Sequence, residues 1–217
     1  MEKPIENFWS LRLADVVGEL EENNFEVHVA EDKAAARKIV MEILSKIDPK
    51  SISWGGSMTF VQTGLYQELK EYQGAQILDT FQKGAMSPEE MFELRRRALT
   101  ADLFITGSNA VTETGKLVNL DMTGNRVAAI TFGPRNVIIL AGRNKVVPDV
   151  EDAMLRVKNY AAPANAMRLD KKTPCAKTSI CEECRSPDRI CNTWTITEKS
   201  FPKGRIKIVL INEDLGL

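Results

Sequence analysis

"NVIILAG", residues 136–142, decides how this chain is organised. After Asn136 every residue is apolar or glycine, with no polar residue alternating between them. A strand with one wet face alternates polar and apolar side chains. A continuous apolar run fits a strand covered on both faces, as in a parallel sheet. Parallel neighbours cannot be joined by a tight turn and need a crossover, usually a helix. The segments around 136–142 should therefore alternate between strand and helix patterns.

They do. "FEVHVA" (25–30) alternates Phe25, Val27 and Val29, as a strand does. It sits between a helical pattern on Phe8, Leu11, Val16 and Leu20, ending at Asn23-Asn24, and a second helical face of Ala36, Ile39, Val40, Ile43, Leu44 and Ile47. Asp48-Pro49 stops that second helix. "SISW" (51–54), "AQILDT" (75–80), "DLFITG" (102–107) and "RIKIVLIN" (205–212) read as further strands. Between them lie three helical patterns. One carries Phe60, Val61, Gly64, Leu65, Leu69 and Tyr72. The next, "SPEEMFELRRRALT" (87–100), has Ser87 as N-cap and Pro88 in its first turn. The third is "PDVEDAMLRVKNYA" (148–161). "NAVTETGKLVN" (109–119) reads as a hairpin about Thr114-Gly115, and "TGNRVAAITFGP" (123–134) as a short helix. The expected class is α/β: a mostly parallel sheet flanked by helices. The 217 residues suit one domain, interrupted at 162–204 by an irregular, cysteine-bearing excursion.

Bulk properties narrow the function. Lys and Arg total 29 and Asp and Glu 30, a balance that gives no electrostatic reason to expect nucleic acid. No apolar run approaches the ~18 residues that span a bilayer. "MEKPIENFWS" has no basic region leading into an apolar core, so no secretory signal is expected and the protein is placed in the cytoplasm, away from membranes. A homodimer is the default assembly.

Ligands of open parallel sheets bind beyond the C-terminal ends of the strands. Three junctions there are rich in glycine and polar residues: Gly55-Gly56-Ser57, Gly107-Ser108-Asn109 and Gly142-Arg143-Asn144-Lys145. Bare backbone N–H groups at such turns favour an anion, although Ser57 equally suits a plain N-cap. Gly55, Gly56, Ser57, Gly107, Asn109, Asn119, Asp121, Asn125, Arg126, Arg143 and Lys145 are the candidate ligand-binding residues. Arg126, Arg143 and Lys145 supply positive charge, and Asp121 is placed either to cap the following helix or to orient the ligand. Glu113, the acid in the densest polar block, is the candidate general base or nucleophile. His28, the only histidine, lies between Val27 and Val29 on a strand and is not assigned chemistry.

Cys175, Cys181, Cys184 and Cys191 follow the spacing C-x5-C-x2-C-x6-C. In a reducing compartment such clustering favours metal or redox chemistry over structural disulfides. Four thiolates suit zinc or an iron–sulfur cluster, and the spacing matches neither common zinc-ribbon pairs nor the bacterial ferredoxin run.

"WGGSMTFVQTGL", the block "ITGSNAVTETGKLVNLDMTGNRVAAITFGPRNVIILAGRNKVV", "AAPANAMRL", "TPCAKTSICEECRSPDRIC" and the ending "GRIKIVLINEDLGL" together resemble the LUD-domain family of lactate-utilization proteins. The cysteine segment resembles that of its stand-alone branch. The resemblance implies a fold related to ribose-5-phosphate isomerase, glucosamine-6-phosphate deaminase and the CoA transferases. In those relatives a glycine-serine loop cradles an anion, which corresponds here to Gly55, Gly56 and Ser57, and a later acid does chemistry, which corresponds to Glu113 beside "GKLVN". It also implies a place in oxidation of lactate to pyruvate, beside iron–sulfur partner proteins, with a small anionic organic acid or its acyl or phosphate derivative as ligand. The alternatives are a non-catalytic, metal-bearing subunit of an oxidoreductase complex, or an isomerase- or CoA-transferase-like enzyme.

Overall fold

The computed structural model describes residues 3–82, 84 and 86–217. In chain order the elements are α1 (Pro4–Glu22), β1 (Glu26–Ala30), α2 (Lys33–Ile47), β2 (Ser51–Trp54), α3 (Met58–Gln62), α4 (Leu65–Lys70), β3 (Gln76–Leu78) and α5 (Pro88–Ala98). Then come β4 (Leu103–Gly107), β5 (Ala110–Thr112), β6 (Leu117–Asp121), α6 (Asn125–Thr131) and β7 (Asn136–Gly142). A 3-10 turn (Arg143–Lys145) leads to β8 (Val146–Val147), α7 (Val150–Arg156), a π-helical turn (Val157–Ala161), α8 (Ala162–Arg168), α9 (Pro174–Thr178), β9 (Thr193–Thr197) and β10 (Ile206–Ile211).

Six strands form a wholly parallel sheet in the order β1-β10-β7-β4-β2-β3. The apolar run at 136–142 is a central strand of it, and its side chains divide by the period of two that a pleat imposes. Ile138 and Leu140 join Val209 and Ile211 of β10 in one core, under Val40 and Leu44 of α2 and Phe60 of α3. Val137, Ile139 and Ala141 join Ile208 and Leu210 in the other, under Leu13, Val16 and Leu20 of α1. Burial on both faces explains why neither strand alternates. Each Val, Leu or Ile so buried contributes roughly 1.5–3 kcal/mol.

A second sheet, β8-β5-β6-β9, stands beside the first. Here the reading of 162–204 as irregular needs correction. The stretch contains α8, α9 and β9, and β9 closes this sheet antiparallel to β6, with Trp194 opposite Leu120. The helix expected at 148–161 also runs further, through the π-helical turn into α8. The helix expected after Ser57 is two short helices, broken at Gly64, whose positive φ of 80° suits glycine. Ser87 and Glu90 form the reciprocal capping box that opens α5.

Candidate functional site: a cationic cleft at the strand ends

β2, β4 and β7 are lateral neighbours and parallel, so the three polar junctions emerge side by side. They meet at Lys145. This side chain ends the 3-10 turn after β7 and is only 4% exposed. Its Nζ donates to Thr59 Oγ1 of α3 at 2.9 Å and to the Ser108 carbonyl after β4 at 3.1 Å. Both acceptors are neutral, and among the described residues no carboxylate pairs with it. An ammonium has three donors, so one remains for a ligand. Burial, with Arg156 and Arg126 nearby, pushes the Lys145 pKa down from 10.5 to about 7.

Arg126 of α6 has a different task. Its Nε donates to Asp121 Oδ1 at 3.1 Å. Nη1 reaches the Gly107 carbonyl and Asn119 Oδ1, at 3.0 and 2.6 Å. Nη2 reaches Asn109 Oδ1 and the Leu120 carbonyl, at 2.8 and 3.2 Å. All five guanidinium N–H groups thus have protein acceptors. The second Asp121 oxygen accepts from the Arg126 backbone N–H at 3.1 Å, which caps α6. Asn119 Oδ1 also accepts from the Asn109 N–H at 3.1 Å. Asn109, Asn119, Asp121 and Arg126 therefore build the wall that fixes the β4, β5 and β6 ends, while Asn119 Nδ2 is buried without a partner among the described residues.

The glycines follow from that crowding. A Cβ on Gly55 would stand 2.8 Å from Arg126 Cγ, and one on Gly107 would stand 2.6 Å from Ser57 Oγ. Both positions need a bare backbone so that the junctions can close on one another. Gly56 is the open one: no atom lies within 4 Å of its would-be Cβ. Ser57 Oγ accepts from the Phe60 N–H at 3.1 Å, so the N-cap reading of this serine holds.

Above Lys145 opens a cleft of about 310 Å³. Of the candidate ligand-binding residues, Gly56, Ser57, Gly107, Asn109, Asp121, Asn125, Arg126 and Lys145 line it. Ser108 of the second junction lines it too, and so do Arg95 of α5 and Arg168 of α8, which the sequence had not singled out. Leu169 and Ile190, both within the 162–204 stretch, add an apolar wall.

Other candidates lie elsewhere. Glu113 is paired with Arg12 of α1 and faces a separate groove formed with Phe8, Leu11 and Asp15. The expectation that it stands beside the glycine-serine junction is corrected by the hairpin: β5 leaves the cleft at Asn109 and carries the chain away, and β6 returns it at Leu120 and Asp121. Arg143 does not line the cleft. Its Nε donates to Asp214 at 2.8 Å and its guanidinium covers Trp9. His28 Nε2 lies 3.0 Å from Glu26 Oε1 on the edge strand β1. Cys175, Cys181, Cys184 and Cys191 are half-buried free thiols. Among the described residues no three His, Cys, Asp or Glu side chains gather closely enough to hold a metal ion. The donor set for zinc or an iron–sulfur cluster is therefore present in sequence but not assembled in space.

The chain is thus an α/β protein whose parallel sheet ends in a cationic cleft. The LUD domain family profile matches residues 13–211, and the chain belongs to that family. Membership supports a lactate-utilization-related role in general terms. A crystal structure of a DUF162 family protein from Deinococcus radiodurans superposes with a TM-score of 0.53 at 14% identity, over 94% of this chain and 98% of that one, so the two share a fold. A structure of eIF2B delta from Chaetomium thermophilum is similar over 57% of this chain and 51% of that chain, at 18% identity and a TM-score of 0.34, too low to bear on the site. No curated protein matches the chain. No helix among the described residues is long and apolar enough to cross a membrane.

Proposed function

We propose that the cleft binds a small anionic organic acid, or its acyl or phosphate derivative, in a lactate-to-pyruvate oxidation system that includes iron–sulfur partner proteins. The observation that carries this reading is Lys145. A buried ammonium without a carboxylate is costly, and an anionic ligand offsets that cost. Lys145 holds the ligand's carboxylate, and the Asn109–Asn119–Asp121–Arg126 wall keeps the loops in place around it. When neutral in the free protein, the amine takes up a proton from solvent as the carboxylate binds, so recognition is coupled to proton uptake. The relation to isomerases and CoA transferases belongs to this reading, and the position of the cleft beyond the strand ends supports it. Turnover of ribose-5-phosphate or of an acyl-CoA donor checks it.

The test is thermal unfolding with added pyruvate or L-lactate. A ligand that binds only the folded state raises Tm by mass action. The rise is expected in the wild type and absent in Lys145→Met. A rise that survives the substitution removes Lys145 from the site.

A further inference from the structure

The charges around the cleft exceed what a monocarboxylate needs. Among the described residues, its charged side chains are Arg95, Arg126, Arg168 and Lys145 against Asp121 alone; Leu217 also lines it, and its main-chain oxygen accepts from Arg156 Nη1 at 3.4 Å. Asp121 is engaged through both oxygens by Arg126. That leaves Lys145 on the floor and two arginines at the rim without a side-chain carboxylate. Arg168 donates from Nε and Nη2 to Asn165 Oδ1, at 3.0 and 2.7 Å, which orients its guanidinium and leaves Nη1 without an acceptor among the described residues. Arg95 has no hydrogen-bond acceptor or ion-pair partner among the described residues. It comes from α5 and Arg168 from α8, so two separate elements bring positive charge to one mouth.

Size agrees with charge. A volume of about 310 Å³ lies at the lower end of pockets that enclose drug-sized ligands, and a three-carbon acid leaves much of it unfilled. A planar guanidinium fork matches phosphate oxygens, and a phosphoryl group brings about −1.5 to −2 charge near neutral pH.

We infer that the ligand carries a phosphoryl group as well as its acid group, and that Arg95 and Arg168 hold the phosphoryl at the rim while Lys145 holds the acid on the floor. The inference rests on the anion-cleft reading and names the substrate class for it: a phosphorylated organic acid. Arg95 and Arg168 are its specificity-determining residues. Leu169 and Ile190 cover the carbon skeleton between the two charged ends.

Calorimetric titration with pyruvate and with phosphoenolpyruvate compares one carbon skeleton with and without the phosphoryl group. Phosphoenolpyruvate is expected to bind at least about tenfold more tightly, with the steeper salt dependence. In Arg95→Gln/Arg168→Gln that preference falls to about twofold or less, while pyruvate affinity stays within about twofold of the wild type. Equal affinity for the two probes, or a preference that survives the double substitution, overturns the phosphoryl subsite and leaves the anion cleft standing. Failure of both probes to bind the wild type, or unchanged binding of both to Lys145→Met, overturns the cleft reading and this inference with it. A thermal melt of the double variant confirms that the fold is retained.

Discussion

Lys145 Nζ stands 2.9 Å from Thr59 Oγ1, and the Thr59 hydroxyl in turn donates to the Leu215 carbonyl at 3.4 Å. The buried ammonium is thus tied to α3 and to the segment after β10, and both ties are to neutral oxygens. Its neighbours orient it without neutralising it. This separates Lys145 from Arg126, which has a similar burial and a carboxylate beside it.

The first prediction concerns pH and stability. The folded-state pKa of Lys145 lies at about 7, below its ordinary 10.5. Between those values the unfolded chain binds more protons than the folded one, so stability rises with pH across that window. Below about pH 7 the full cost of the buried charge is present. Urea unfolding at several pH values should show this rise in the wild type and lose a contribution of a few kcal/mol to it in Lys145→Met. Identical pH profiles for the two proteins would contradict it.

The second prediction concerns the wall. Arg126→Met leaves Asp121 partly buried without its cation and strands the acceptors on Asn109, Asn119, Gly107 and Leu120. A loss of about 3–5 kcal/mol is expected by chemical denaturation. Arg126→Lys recovers little of it, because a point ammonium cannot fill five acceptor positions. A loss below about 1 kcal/mol would show that the network is not what holds these loops.

The glycines make a third, internally controlled test. Gly107→Ala places a Cβ against Ser57 Oγ and 3.1 Å from the Leu140 carbonyl oxygen, so a loss of about 1–3 kcal/mol is expected. Gly56→Ala meets no atom within 4 Å, and its melting temperature should stay close to that of the wild type. Equal effects at both positions would remove close packing as the reason for these glycines.

Glu113 supplies the fourth. It pairs with Arg12 in a partly exposed groove, so Glu113→Gln should cost about 1 kcal/mol or less and leave pyruvate binding in the cleft unchanged. Loss of binding or of turnover in this variant would return Glu113 to the functional site.

How far the sequence carried these conclusions differs by element. β7 and β10 were legible because continuous apolar runs require two covered faces, and the Ser87 capping box was legible because its signals are local. β9 was missed. "TWTIT" alternates Trp194 and Ile196 between threonines, a local strand signal that was overlooked inside the irregular stretch, and its partner β6 lies more than 70 residues earlier. The three junctions were found by composition, and their convergence on Lys145 needed the strand order. Lys145 itself was expected as one cation among three; its burial depends on α3 lying over it. Arg95 was missed because "ELRRRA" reads as a solvated helix face, and which of its arginines turns inward is set by how α5 docks. Glu113 was misplaced for a length reason. Four extended residues beyond Asn109 carry it about 13 Å from the cleft, on the far end of a hairpin whose direction the sequence does not record. The cysteine spacing likewise says nothing about where four thiols point. One of them lies on α9 and the others fall in the irregular stretch between it and β9.

That placement gives the fifth prediction. With the four thiols free and ungathered, all four should react with a thiol reagent in the native protein, and a chelator should leave Tm unchanged. Stoichiometric iron with sulfide, or zinc whose removal lowers Tm, in protein purified without oxygen would show that the segment folds differently around a metal.

The measurement that bears most directly on the central claim is proton uptake on binding. Calorimetry of pyruvate binding in buffers of different ionisation enthalpy counts protons taken up with the ligand. At about pH 8 Lys145 is mostly neutral when free and must be charged to hold a carboxylate, so uptake approaching one proton is expected. It should fall towards zero by about pH 6, and vanish with the binding itself in Lys145→Met. Binding with no proton uptake at the higher pH, or uptake that persists in the variant, would place the ligand away from Lys145 and contradict the account.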